Sequence, residues 1–72
     1  MTIKRSPTGW CVKLTDRSEV ALMGAEWIPL PLSRECSESE AVRFCAATKM
    51  YQGEGVTIEA DGMSRRAPVE AR

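Results

Sequence analysis

Apolar and polar residues alternate along "WCVKLT", residues 10–15. Trp10, Val12 and Leu14 share one parity, and Cys11, Lys13 and Thr15 the other. That period of two predicts a half-buried strand. "DRSE" follows, with Asp16 and Ser18 supplying turn chemistry. "VALM" then places Val20 and Leu22 on one side and Ala21 and Met23 on the other. Two short strands across such a connection predict a hairpin.

Gly24-Ala25 permits a further reversal or a bulge, and "EWIPLPL", residues 26–32, comes next. Ile28, Leu30 and Leu32 fall on one parity; Trp27, Pro29 and Pro31 fall on the other. Proline has no N–H to give a ladder, which excludes a central strand. Both prolines on one parity fit an edge strand whose outer hydrogen-bonding side is unused, and they blunt that edge against unwanted pairing.

The helix signal is the clearest in the chain. In "SESE", residues 37–40, the Ser37 hydroxyl can accept from the Glu40 N–H and Glu40 can reach back, the arrangement of a capping box. Glu38 and Glu40 also lie where the helix dipole favours negative charge. Ala41, Phe44, Cys45, Thr48 and Tyr51 form one stripe at helical spacing, with Arg43, Ala46 and Met50 facing away. Gly53 is a natural C-terminal cap. "VTIEA", residues 56–60, alternates again, Asp61-Gly62 signals a turn, and "MSRR" is compatible with a short return strand.

The expected fold is α+β: a small, mainly antiparallel sheet of three to five strands with one helix packed on one face. The order is β-β-β-α-β, with room for a final short strand. Residues 1–8 are expected to be a flexible N-terminal arm, 9–66 the single domain and 67–72 a frayed tail. The expected core joins Trp10, Val12, Leu14, Val20, Leu22, Ile28, Leu30, Val56 and Ile58 to Phe44, Cys45, Thr48 and Tyr51.

Composition narrows the function classes. A chain of 72 residues makes one domain and buries only about 60% of its unfolded surface. Ten Lys and Arg balance ten Asp and Glu, so the formal net charge is zero. This argues against strong overall attraction to nucleic acid or an anionic membrane, and it permits self-association. No apolar run is long enough to cross a membrane, and the N-terminus lacks the apolar stretch of a signal peptide. Cys11, Cys36 and Cys45 fit no disulfide framework, which suggests reduced thiols and a cytoplasmic location.

Candidate chemistry is sparse. The sequence has no histidine, which removes the usual general base and the commonest transition-metal ligand. The cysteine spacings suit no zinc site, and Glu38 and Glu40 do not face each other on a helix. "GEG", residues 53–55, follows a helix and precedes a strand, the reverse of a phosphate loop. Cys36 lies just ahead of the helix N-cap, next to Glu35 and near Arg34, and a structural thiol is the favoured reading. No catalytic, cofactor-binding or metal-binding residue is assigned.

Interaction residues are the remaining candidates. One helix covers one sheet face, so Trp27, Met23, Ala21 and Cys11 are assigned to an uncovered face. Trp27, Met23, Ile28, Pro29, Leu30 and Pro31 would be the anchor of a protein interface, with Arg43 as a rim charge. The competing reading has Trp27 closing the bottom of the core beneath a loop. Lys4-Arg5 and Arg65-Arg66 could form a local basic patch for nucleic acid.

The element order and small size resemble accessory proteins of phages and mobile elements, anti-CRISPR proteins among them. That resemblance spans residues 9–66 and rests on architecture alone. Gly9-Trp10, the helix over Ala41–Ala47 and Val56–Gly62 also resemble a small bacterial family of unknown function; the double-proline segment departs from it. The absent chemistry and the apolar face point to a non-catalytic protein-binding module; the resemblance to phage proteins implies steric inhibition of a larger host protein, such as a CRISPR-Cas or other defence component. A nucleic-acid-associated factor and a homodimeric structural subunit are the alternatives.

Overall fold

The computed structural model describes residues 1–49, 51–53 and 55–68. Of the tail expected over 67–72, Ala67 is a buried strand residue, while 69–72, like Met50 on the outer side of the helix, lie outside that range. The fold is α+β: an open, mixed sheet of five strands with two helices. In chain order the elements are β1 (Thr2–Ser6), β2 (Gly9–Lys13), α1 (Arg17–Met23), β3 (Trp27–Pro29), α2 (Glu38–Ala46), β4 (Val56–Ala60) and β5 (Met63–Ala67).

The segment expected to be a loose arm is instead the central strand of the sheet. Strand order is β3-β2-β1-β4-β5, with β1 parallel to β4 and the other pairs antiparallel. β1 carries a single large apolar side chain, Ile3, and it is fully buried. The first hairpin is therefore β1–β2, closed by Pro7-Thr8 between the paired Ser6 and Gly9. The Ser6 hydroxyl donates to the Gly9 carbonyl at 2.9 Å and secures the turn.

The second correction concerns "VALM", which is the C-terminal part of helix α1 rather than a strand. Asp16 is its N-cap: one carboxylate oxygen accepts from the Ser18 N–H at 2.8 Å and from the Glu19 N–H at 3.4 Å. Gly24, at φ 73°, ends the helix and donates its N–H to the Val20 carbonyl at 2.9 Å. Asp16 and Gly24, expected at turns, are the helix caps, and Ser18 lies in the first turn of α1.

β3 is an edge strand, as its prolines require. Leu14 N–H donates to the Glu26 carbonyl and Leu30 N–H to the Trp10 carbonyl, so the even-numbered residues face β2. Pro29 lies on the outward side, where no ladder bond is lost. The second sheet edge, β5, follows β4 through Asp61-Gly62. Both turn residues have positive φ (52° and 75°), the requirement of a two-residue hairpin loop.

Register fixes the two faces. Ile28, Val12, Ile3, Ile58 and Arg65 form one row across all five strands. With Trp10, Val56 and Ala67, this face supplies the sheet side of the core, and Ala41, Val42 and Cys45 of α2 belong to the same buried cluster. The core differs from expectation at several positions. Ile3, Ala41, Val42 and Ala67 enter it, Leu22 is exposed, and Val20, Phe44, Thr48 and Tyr51 are only half-buried.

The capping box is present in a modified form. Ser37 Oγ accepts from the Glu40 N–H at 3.2 Å, and donates to Glu40 Oε1 at 3.1 Å. α2 ends at Ala46, with Ala47 rather than Gly53 as its cap. The buried indole of Trp10 donates its N–H to the Cys36 carbonyl at 3.0 Å, and Arg5 Nη2 donates to the same oxygen at 3.0 Å. These bonds tie the loop before α2 to the first hairpin. Trp10 thereby buries its ring without leaving its polar atom unpaired.

Candidate binding surfaces

The first surface is built around α1. None of its residues is buried, and Leu22 and Met23 are 84% and 58% exposed. An open groove of about 720 Å³ lies beside them, lined also by Met1, Leu14, Ile28 and Gln52. Lys13 and Glu19 contribute charge of both signs to its walls. Capping at both ends shapes this helix, and Val20 is its one half-buried residue. An isolated helix of seven residues is marginal in water, because nucleation costs more than so few bonds return.

The second surface is the sheet face turned away from the core. Alternation along the paired strands places Thr2, Lys4, Cys11, Lys13, Trp27, Pro29, Thr57, Glu59, Ser64 and Arg66 there. Trp27 is half-buried and stands directly opposite Lys13. The Lys4 ammonium lies 4.2 Å from the centroid of its ring and that of Lys13 lies 6.0 Å away. Both distances are within cation–π range. Among the described residues this face carries three cations and one carboxylate.

The expected interface residues divide between these surfaces. Trp27 and Pro29 are on the uncovered sheet face, with Trp27 on the opposite side of β3 from Ile28. Met23 is in α1, and Ile28 reaches the groove from the core side. Thus Met23 and Trp27 do not share one face. Leu30 and Leu32 are half-buried against the core, whereas Pro31 is exposed. Arg43 is exposed on α2, beside a separate pocket that Glu38 and Arg65 also line.

The basic pairs divide in the same way, because neighbours on a strand point to opposite faces. Lys4 and Arg66 are on the uncovered face. Arg5 lies over the Trp10 ring at 4.8 Å. Arg65 donates through Nη2 to both Glu38 carboxylate oxygens, at 2.5 and 2.6 Å, bridging β5 to the first turn of α2. The single patch expected from Lys4-Arg5 and Arg65-Arg66 is not formed. Sequence reasoning also missed Leu22 and Lys13; the strand reading of "VALM" hid the first, and the position of Lys13 opposite Trp27 was visible only once β3 paired with β2.

The cysteines occupy three different settings. Cys45 is buried, and burial pushes its thiol above the ordinary value of 9.0, while the positive N-terminal amine pulls the other way. Cys11 and Cys36 are half-buried. Among the described residues, no group of three or more Cys, Asp or Glu side chains is arranged to hold a metal, and no helix is long and apolar enough to cross a membrane. Comparison of the chain with protein families, curated proteins and solved structures finds no match.

Proposed function

We propose that this chain is a non-catalytic protein-binding module that docks through α1 and the groove beside it. One observation carries the reading: a helix of seven residues, none of them buried, presents Leu22 and Met23 beside a partly apolar groove. A helix obtains most of its stability from packing an apolar face, and α1 only half-covers Val20. A partner supplying an apolar segment would bury Leu22, Met23 and the exposed margins of Leu14 and Ile28. Each fully buried side chain of this size contributes about 1.5–3 kcal/mol. The resemblance to mobile-element accessory proteins makes steric inhibition of a larger protein the mode we favour.

The test compares the wild-type chain with a Leu22→Asp, Met23→Ser double variant. Both positions are exposed, so thermal unfolding of the two proteins should coincide. Quantitative affinity capture from a cell lysate should retain a protein on the wild type and lose it on the variant. Sedimentation velocity of the purified chain distinguishes a second copy from a foreign partner. A monomer that retains nothing, or a partner held equally by both proteins, would refute the proposal.

A further inference from the structure

We infer that the uncovered sheet face is a second, independent site, and that it takes a single-stranded nucleic acid. The argument begins with charge. The whole chain is neutral, but strand register brings Lys4 and Lys13 to this face, where Glu59 is the one carboxylate among the described residues. The complementary ligand is an anion that reaches the Trp27 ring, where the two ammonium groups meet.

The aromatic ring narrows the ligand class. Trp27 lies on the same face with two ammonium groups over its indole, at 4.2 and 6.0 Å. Single-stranded nucleic acid is bound by this combination: cations follow the phosphates and an aromatic side chain stacks on a base. The ammoniums can turn from the ring to phosphate, exchanging a half-buried cation–π contact for a charge-assisted one. Thr2, Thr57 and Ser64 add hydroxyl donors across the intervening strands.

An acidic protein segment is the other anionic occupant, and the edge geometry disfavours it. A peptide commonly joins a sheet by adding a strand, which requires backbone N–H groups along the edge. Beside Trp27 the outward position is Pro29, with Pro31 beyond it, so that row of donors is missing. Recognition here must use side chains projecting from the face, which suits bases and phosphates.

Trp10 and Trp27 make the experiment selective. Trp10 is only 1% exposed, so an added ligand that quenches tryptophan emission reports on Trp27. The probe is an oligothymidylate of about 12 nucleotides, within the usual site size. Saturable quenching is expected, with affinity falling about sevenfold between about 50 and about 200 mM salt if Lys4 and Lys13 each neutralise one phosphate. Lys4→Gln with Lys13→Gln should abolish that salt dependence and weaken binding at least about tenfold at the lower salt. A Trp27→Phe variant should retain binding by anisotropy of a labelled probe. Leu22→Asp should leave it unchanged, because the groove beside α1 is separate. Absence of binding at about 50 mM salt would overturn the inference. So would binding that the double lysine variant leaves intact, or lysine-dependent binding of polyglutamate without oligothymidylate.

Discussion

Gly9 is the backbone position where the fold can be tested most sharply. It pairs with Ser6 at the first hairpin, at φ 144°, and a Cβ built there would lie 2.4 Å from the Leu32 carbonyl oxygen. Two costs follow for Gly9→Ala. An L-residue held at such a φ is strained by roughly 1–3 kcal/mol. The contact must also open by nearly 1 Å, and Leu32 O is backbone, unable to rotate away. Moving it pulls residues 30–32 off the sheet edge. That endangers the Leu30 N–H bond to the Trp10 carbonyl, at 2.8 Å, worth about 1 kcal/mol. It also strips the half-buried Leu30 and Leu32 from the core, at about 1 kcal/mol each.

The total is about 4–6 kcal/mol, against a whole-chain stability of about 4–11 kcal/mol for this length. The midpoint of thermal unfolding should fall by at least about 16 °C. Gly62→Ala is the control: φ there is 75°, but nothing lies within 4 Å of the added carbon. It should cost about 1 kcal/mol and lower the midpoint by about 4–8 °C. Near-ultraviolet circular dichroism of the buried Trp10, followed through heating, measures both. Equal losses for the two variants would mean that the Leu30–Leu32 segment does not cross Gly9, and the placement of the double-proline run would be wrong.

Further outcomes follow from individual contacts. Cys11 and Cys36 should react with a thiol reagent in the native protein, while Cys45 should react only at the rate of unfolding. The raised Cys45 pKa makes a stability contribution that is fully present below the ordinary thiol value of 9.0. That contribution is lost as pH rises through the folded-state value, because the unfolded thiol ionises first. Cys45→Ala should lower stability at neutral pH and flatten this alkaline decline, measured by urea unfolding; an unchanged slope would contradict the burial. Asp16→Ala should remove about 1 kcal/mol from α1. It should reduce the far-ultraviolet helical signal while leaving the Trp10 transition in place, and a displaced transition would show that α1 supports the core. Arg65→Ala should cost no more than about 1 kcal/mol despite its bidentate bond to Glu38, because the pair is exposed; a larger loss in thermal unfolding would mean that the bridge anchors α2.

The parts legible in the sequence were those whose local chemistry and tertiary role agree. Alternation in "WCVKLT", the outward parity of Pro29 and Trp27, Ser37 and Glu40 at the helix start, and Asp61-Gly62 all keep their expected roles. β1 was illegible because its one apolar side chain, Ile3, sits among Thr2, Lys4, Arg5 and Ser6, so its central place depends on pairing with β2 and β4. "VALM" is too short for its period to choose between strand and helix. Asp16 and Gly24 decide the matter as caps, although both are equally suited to turns. The candidate surfaces inherited these two ambiguities. Without β1, Lys4 could not be placed over Trp27; without α1, Leu22 was assigned to the core.

The two helices illustrate why the proposed docking surface can exist on so small a protein. α2 completes the core through Ala41, Val42 and Cys45, so its outer surface changes freely only where those positions are kept. α1 lies under the opposite constraint: none of its residues is buried and only Val20 is half-covered, so the caps Asp16 and Gly24 hold its ends. Its apolar residues therefore contribute little to folding and carry a solubility cost that local stability does not offset. A partner that covers Leu22 and Met23 removes that cost and supplies the packing the helix lacks. The free energy of docking then appears largely as affinity, with the buried Trp10 and Ile3 left undisturbed in the core. Separation of the folding core from the docking helix is what lets a marginally stable chain present an apolar surface without sacrificing its own fold.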